Sequence, residues 1–169
     1  MSYFILISIL FYSIIFIFLI WISGFLFGAP FESTYKKRLE RMIKFSNMKK
    51  NERVVDLGSG IGSVVMGFAK KGFKADGYEI NPFLVWISRR RIKKLGLEKK
   101  AKIYRKNFMN QNLSKYDVVC IFQIWYMMNK LKGKLKRELK KGSKIISNTW
   151  KFKGWKAKKE DKGIYLYEV

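Results

Sequence analysis

Val54-Val55-Asp56-Leu57-Gly58-Ser59-Gly60-Ile61-Gly62 decides the reading of this chain, together with Gly77-Tyr78-Glu79 at the end of the next apolar run. A strand over 53–57 must turn sharply into a helix beginning near Ile61, and a ligand reaches such a turn only where side chains are absent. Gly58, Gly60 and Gly62 supply that absence. Glu79, twenty-one residues after the first glycine, falls at the tip of the neighbouring parallel strand, where a carboxylate can accept the protons of two ribose hydroxyls. The two segments predict a nucleoside-binding strand, turn and helix, with Ser59 inside the turn.

Two ligand classes share this layout. A dinucleotide site wants G-x-G-x-x-G, with the helix N-terminus facing a pyrophosphate. Here position 63 is Ser and the third glycine is Gly62, giving G-x-G-x-G. That spacing resembles the S-adenosylmethionine site of seven-strand methyltransferases, which have no pyrophosphate to cradle and where Asp56 would order the turn near the amino acid end of the cofactor. A dinucleotide site, or a glycine-rich turn that binds nothing, stays open on spacing alone.

The chain has 169 residues, room for one domain and an appendage. Residues 1–31 contain no charged side chain, and 3–27 is an almost unbroken run of Ile, Leu, Phe, Tyr and Trp. As a helix this run would be about 37 Å long, enough for a hydrocarbon core of about 30 Å. It lacks the basic n-region and small-residue cleavage site of a signal peptide. Residues 1–28 are therefore expected to form a transmembrane helix, 29–52 a juxtamembrane linker with an amphipathic helix, and 53–169 the functional domain. Lys36, Lys37, Arg38, Arg41 and Lys44 follow the run, and no Lys or Arg precedes it. The positive-inside rule then predicts a single-pass cell-membrane protein with its N-terminus outside and its domain in the cytoplasm.

All 36 Lys and Arg lie after position 35, so the net charge of +24 belongs to the remainder. Such a field suits anionic lipid headgroups or nucleic acid. The 28 Lys against 8 Arg favour a membrane surface, or a plain compositional bias toward lysine, over bidentate phosphate or base recognition. A single cysteine, Cys120, excludes disulfides and thiolate metal sites, and the absence of His excludes imidazole general bases and zinc catalysis. No metal is expected.

From Arg53 onward, short apolar runs alternate with amphipathic ones. Strands are predicted over 53–57, 74–79, 101–105, 116–122 and 143–149, and helices over 61–71, 82–95 and 127–140, preceded by a helix over 35–45. This rhythm predicts an α/β doubly wound parallel sheet. Segments 149–152 and 164–168 lack a helix between them and are expected to pair as a terminal antiparallel hairpin. The basic tract from Lys130 to Lys144 reads as a solvated face.

In open α/β sheets, ligands lie outside the carboxyl ends of the strands. That edge collects residues 58–62, Glu79 to Asn81, Asn107 with Phe108, and Phe122 to Trp125. Asn107 is suited to hydrogen-bond the adenine amino group with Phe108 over the ring, although an ordinary turn Asn fits the position as well. Trp125, Tyr126, Trp150, Phe152 and Trp155 follow the fourth and fifth strands and form a candidate substrate channel. Aromatic walls disfavour ammonium hydration and attract a methylated amine. Core or interface packing explains any single one of them equally well.

The run from Gly77 through Tyr78-Glu79-Ile80-Asn81-Pro82-Phe83-Leu84-Val85-Trp86 to Arg89 resembles the segment after motif I in membrane-anchored seven-strand (non-SET) protein lysine methyltransferases. That type includes the mitochondrial ATP synthase c-subunit and adenine nucleotide translocase enzymes. Gly28-Ala29-Pro30-Phe31 after an apolar helix is similar as well, and Ser147 to Trp155 resembles small archaeal lysine methyltransferases. The resemblance implies a Rossmann-like seven-strand sheet with an N-terminal transmembrane helix, S-adenosylmethionine as cofactor, and lysine side chains of membrane or membrane-adjacent proteins as substrate. It also implies a cofactor contact by Thr34. The chain departs from the pattern at Ile61, where most relatives carry Asp, at Asn107, where many have Asp, and at Gln123, where the anchored ones often have Gly. No residue carries over as a general base. An RNA or DNA methyltransferase using the basic surface, or a catalytically silent tethered binding module, are the other readings.

Overall fold

The computed structural model describes residues 3–27 and 36–169, with side chains of the first helix described as far as Ile20. The chain divides into two compact units, residues 1–31 and 32–169. In the first, α1 (Tyr3–Phe27) carries no charged residue, and its described side chains are exposed. It is long and apolar enough to cross a bilayer.

The second unit holds α2 (Lys36–Ser46), β1 (Arg53–Leu57), α3 (Ser63–Lys70), β2 (Lys74–Glu79), α4 (Pro82–Lys94), β3 (Ala101–Arg105), β4 (Val118–Ile121), α5 (Trp125–Glu138), β5 (Lys144–Asn148), β6 (Lys159–Asp161) and β7 (Ile164–Glu168). A single 3-10 turn, Phe108–Asn110, follows β3. The seven strands form one sheet in the order β3-β2-β1-β4-β5-β7-β6. The first five run parallel, and β7 lies antiparallel between β5 and β6. This is the Rossmann-like seven-strand sheet expected of a methyltransferase. The chain winds outward from β1 to β3, then returns to place β4 on the other side of β1, so the switch point lies between β1 and β4.

Alternation along each strand sorts the core into two layers. Val54, Ala75, Ile103, Cys120 and Ile146 pack with Phe68 of α3, Ile92 of α4 and Met42 of α2. Val55, Tyr78, Val119, Ile145 and Tyr167 pack with Leu131 and Leu135 of α5 and with Phe108. Both faces are covered, which is why the parallel strands read as continuous apolar runs.

Three expectations need correction. Residues 149–152 do not pair with 164–168: Thr149 has φ 78, which ends β5, and β7 pairs directly with β5. The hairpin partner of β7 is β6, joined through Lys162 and Gly163, whose φ values of 46 and 78 suit a two-residue type I′ turn. The helix after β4 begins at Trp125 rather than at 127, so Trp125 and Tyr126 stand on its first turn. The basic residues of α2 are partly engaged within the second unit. Arg38 donates to Asn148 Oδ1 (2.6 Å) and Thr149 Oγ1 (3.0 Å), and Arg41 pairs with Asp161 (2.7 Å). Within the tract after Lys130, Lys134 is likewise buried, bonded to the Gln111 carbonyl (2.7 Å) and to Glu138 (2.6 Å).

Met42 and Leu39 set α2 into the sheet unit, and Gly67 of α3 makes the contact possible. A Cβ there would come within 2.6 Å of Leu39 Cδ2. Gly67→Val is therefore expected to push α2 off α3 at a cost of about 1–3 kcal/mol. A lower Tm of the detergent-solubilised chain by circular dichroism reports it, with Gly133→Val, a second helical glycine whose Cβ would meet only the flexible tip of Arg137 (3.2 Å), as the control for glycine replacement as such.

Candidate functional site

The turn after β1 is built by backbone conformations that side chains resist. Gly58, Gly60 and Gly62 have φ of 81, 52 and 77, all in the left-handed region. Gly58 and Ser59 N–H both donate to the Tyr78 carbonyl (2.9 and 3.0 Å), and Gly62 N–H donates to the Ser59 carbonyl (2.8 Å). A Cβ on Gly58 would lie 2.4 Å from Gln123 Nε2, and one on Gly77 would lie 2.7 Å from Ser59. The turn is thus pressed against the ends of both neighbouring strands.

Glu79 closes it. One carboxylate oxygen accepts from Gly60 N–H (2.9 Å), the other from Ile80 and Asn81 N–H (2.8 Å each). Each oxygen has two lone-pair sites, so one acceptor position is left on the Gly60 side for a hydroxyl donor. Asn81 caps α4, its side chain accepting from Phe83 and Leu84 N–H. Across the switch point, Gln123 Nε2 donates to the Leu57 carbonyl (2.9 Å), bridging β4 to β1 at the crevice where a ligand enters.

Asp56 sits on β1 between Gly77 and Cys120, and is buried. Burial, and then the Glu79 carboxylate, push its pKa well above the usual carboxylate value. The same desolvation raises the Cys120 thiol, so that thiol is inert. Two carboxyl groups that repel one another beside a turn of left-handed glycines suit a ligand bearing both a cation and a vicinal diol. Ser59 Oγ is buried without a hydrogen-bond partner among the described residues, a donor left for such a ligand.

The remaining site residues divide. Asn107 is exposed, and its Oδ1 accepts from Met109 N–H (2.9 Å), capping the 3-10 turn as a turn Asn does. Phe108 packs into the core beside Tyr78 and Leu57. Trp125 and Tyr126 stand exposed in an edge-to-face pair at 5.9 Å, and Trp150 is exposed after β5. Phe152 is not a channel wall. It lies in the core against Tyr167 (5.0 Å) and Trp155 (5.4 Å), and its N–H donates to Tyr167 Oη. Thr34 lies outside the described residues.

Two further contributors were not singled out as residues in the sequence, although Asn148 lies within the 147–155 segment noted there. Arg91 donates to the Ile61 carbonyl (2.8 Å), holding the turn from α4, yet it stands in a run of three arginines that reads as surface. Asn148, at the end of β5, gives its oxygen to Arg38 and keeps a buried Nδ2 without a partner among the described residues.

A family profile described as the ANTKMT methyltransferase domain matches residues 56–159. The human ATP synthase c-subunit lysine N-methyltransferase is 39% identical over 126 residues, covering 75% of this chain and 54% of that protein. A protein-lysine N-methyltransferase of Saccharolobus islandicus is 31% identical over 151 residues, covering 83% of this chain and 94% of that one. Among solved structures, an RNA methyltransferase from Salinibacter ruber in complex with S-adenosyl-L-homocysteine superposes with a TM-score of 0.78 at 23% identity, covering 82% of this chain and 94% of that one. This last likeness shows the fold alone. The chain spans about half the length of the human relative it matches.

Asp56 offers a test in which stability and binding move in opposite directions. Its folded-state pKa is raised, so the group costs stability at neutral pH, and the cost fades as pH falls toward the ordinary value near 3.8. Asp56→Asn is expected to raise Tm at pH 7 by an amount that shrinks toward pH 4, while weakening S-adenosylhomocysteine binding in calorimetry. Gly58→Ala, which collides with Gln123, is expected to lower that affinity about tenfold or more through lost turn geometry.

Proposed function

We propose, from the premise that the chain belongs to the ANTKMT methyltransferase-domain family, that it is a protein-lysine methyltransferase tethered to a bilayer by residues 3–27, acting on lysines of membrane or membrane-adjacent proteins. The observation that carries the reading is the left-handed glycine turn locked beneath Glu79 at the β1/β4 switch point. S-adenosylmethionine is the cofactor of this methyltransferase family, and the residues present fit it.

In this reading the cofactor lies over Gly58–Gly62. The free acceptor position of Glu79 takes one ribose hydroxyl, fewer than the two expected from sequence because backbone N–H groups occupy the rest of the carboxylate, and Asp56 faces the cationic amino acid end. Ser59 and Gln123 line the approach, Asn81 fixes the start of α4, and Asn107 and Phe108 border the adenine. Thr34 is proposed as a further contact on the family resemblance. When bound, the cofactor supplies an activated methyl group for in-line displacement. The chain's own share is to align a neutral amine and to exclude water. Trp125, Tyr126 and Trp150 stand where a lysine would arrive, and their rings would favour loss of its proton before attack. Asn148, buried at the end of β5, lies level with the residue after β4, beside that approach.

The segments 1–28, 29–52 and 53–169 would then serve as anchor, connection and catalytic part, with α2 joined to the catalytic part through Met42. A single span in the cell membrane with the N-terminus outside follows from the basic residues after α1. The test is transfer of labelled methyl from S-adenosylmethionine to membrane fractions, followed by mass spectrometry. Methyl-lysine on membrane proteins, lost in Glu79→Ala, is the expected result. Label confined to nucleic acid, or to the enzyme's own lysines, would overturn the lysine reading.

A further inference from the structure

The domain's exposed large side chains are not scattered. Outside α1, the described ones are Phe83, Trp86, Leu95, Trp125, Tyr126 and Trp150. All but Leu95 follow the carboxyl ends of β2, β4 and β5, on the edge of the sheet that carries the glycine turn. Phe83 and Trp86 begin this rim on α4, 47% and 52% exposed and stacked on one another at 5.9 Å. Solvent-exposed aromatics of this size, clustered on one edge, need a partner.

Cations lie beside them. The Arg90 guanidinium sits 4.9 Å over the Trp86 ring. Trp86, Arg90, Lys93 and Arg105 line a groove of about 410 Å³ along α4. Arg90, Lys93 and Arg105 are exposed, and none of them takes part in an ion pair among the described residues. The arrangement is an aromatic lip with unpaired cations behind it. Aromatic rings with one apolar body and a wet edge settle at the headgroup level of bilayers, and Lys and Arg nearby meet lipid phosphates.

We infer that the carboxyl edge of the sheet docks on an anionic bilayer surface, with Phe83 and Trp86 at the headgroup boundary and Arg90 and Arg105 on lipid phosphodiesters. The inference rests on the membrane-tethered reading above and deepens it. Docked in this way, the enzyme would present its methyl-transfer edge to lysines at the membrane interface and not to those of freely diffusing proteins. Nucleic acid is the competing phosphate source. The rings themselves argue against it, because Phe83 and Trp86 are stacked on each other and Arg90 covers the indole, so a nucleobase would have to displace existing contacts.

The only native thiol, Cys120, is buried, so an introduced cysteine can be labelled alone. The full chain is reconstituted in nanodiscs of phosphatidylcholine with phosphatidylglycerol, carrying a nitrobenzoxadiazole fluorophore at Phe83→Cys or at Leu95→Cys, the two ends of the α4 region. Lipids spin-labelled high on the acyl chain act as quencher. The Phe83 label is expected to be quenched about threefold more than the Leu95 label, and Arg90→Glu with Arg105→Glu is expected to close the gap. Equal quenching at both sites, a gap indifferent to the two charge reversals, or protection of the Phe83 label by added RNA and not by lipid would overturn the inference. The readout needs no methyl transfer. Lost label contrast with methyl-lysine still made on membrane proteins defeats the docking alone, whereas a chain that fails to co-purify with nanodiscs defeats the tether as well.

Discussion

The carboxylate of Glu79 is the constraint on which the site depends. It ends β2, yet it accepts from Gly60 in the turn after β1 and from Ile80 and Asn81, the two residues that lead into α4. One side chain therefore ties together the turn, the strand beside it and the following helix. The close approach this demands is met by missing side chains: Gly77 leaves room for Ser59, and Gly58 leaves room for Gln123 reaching over from β4. These contacts are all internal to the protein, so the shape of the turn is set by its own backbone and its two neighbouring strands.

The arginines show how a strongly basic chain uses its least common cation. Arg38 holds Asn148, Arg41 holds Asp161, Arg53 meets Asp76, Arg89 forks onto the Ile103 carbonyl, and Arg91 holds the Ile61 carbonyl. Planar multi-donor groups suit such fixed contacts, and lysines supply most of the solvated charge. Arg scarcity, taken in the sequence as a statement about partners, is also a statement about internal construction. Arg90, Arg105 and Arg137 stand apart from this internal set, and the first two meet at the α4 groove.

The parallel sheet and its turn were legible because their signals are local. Left-handed conformations call for glycine at 58, 60 and 62, and strand spacing brings Glu79 to the same edge. The end of the chain was harder. Which strand β7 joins depends on a neighbour distant in sequence, and the Lys162-Gly163 turn was a weaker mark than the more familiar Asn-Gly. Phe152 was misplaced for a similar reason: an aromatic after a strand looks the same whether it packs on Tyr167 or faces a ligand. Arg91 and Asn148 act through long-range contacts to a backbone carbonyl and to Arg38, and neither contact leaves a periodic trace.

The two borders of the sheet differ from its interior in one respect with consequences for crowding. β6 is only three residues long, is exposed and follows Lys158, while β3 at the opposite border carries Lys102 and Arg105 and is flanked by Lys100 and Lys106. Short or lysine-studded borders discourage strand addition by a second molecule. On a bilayer, where diffusion in two dimensions multiplies encounters between like molecules, the brevity of β6 and the cations along β3 would keep neighbouring sheets from fusing edge to edge. The dense positive charge would then act as spacing between copies as well as attraction to the surface beneath them.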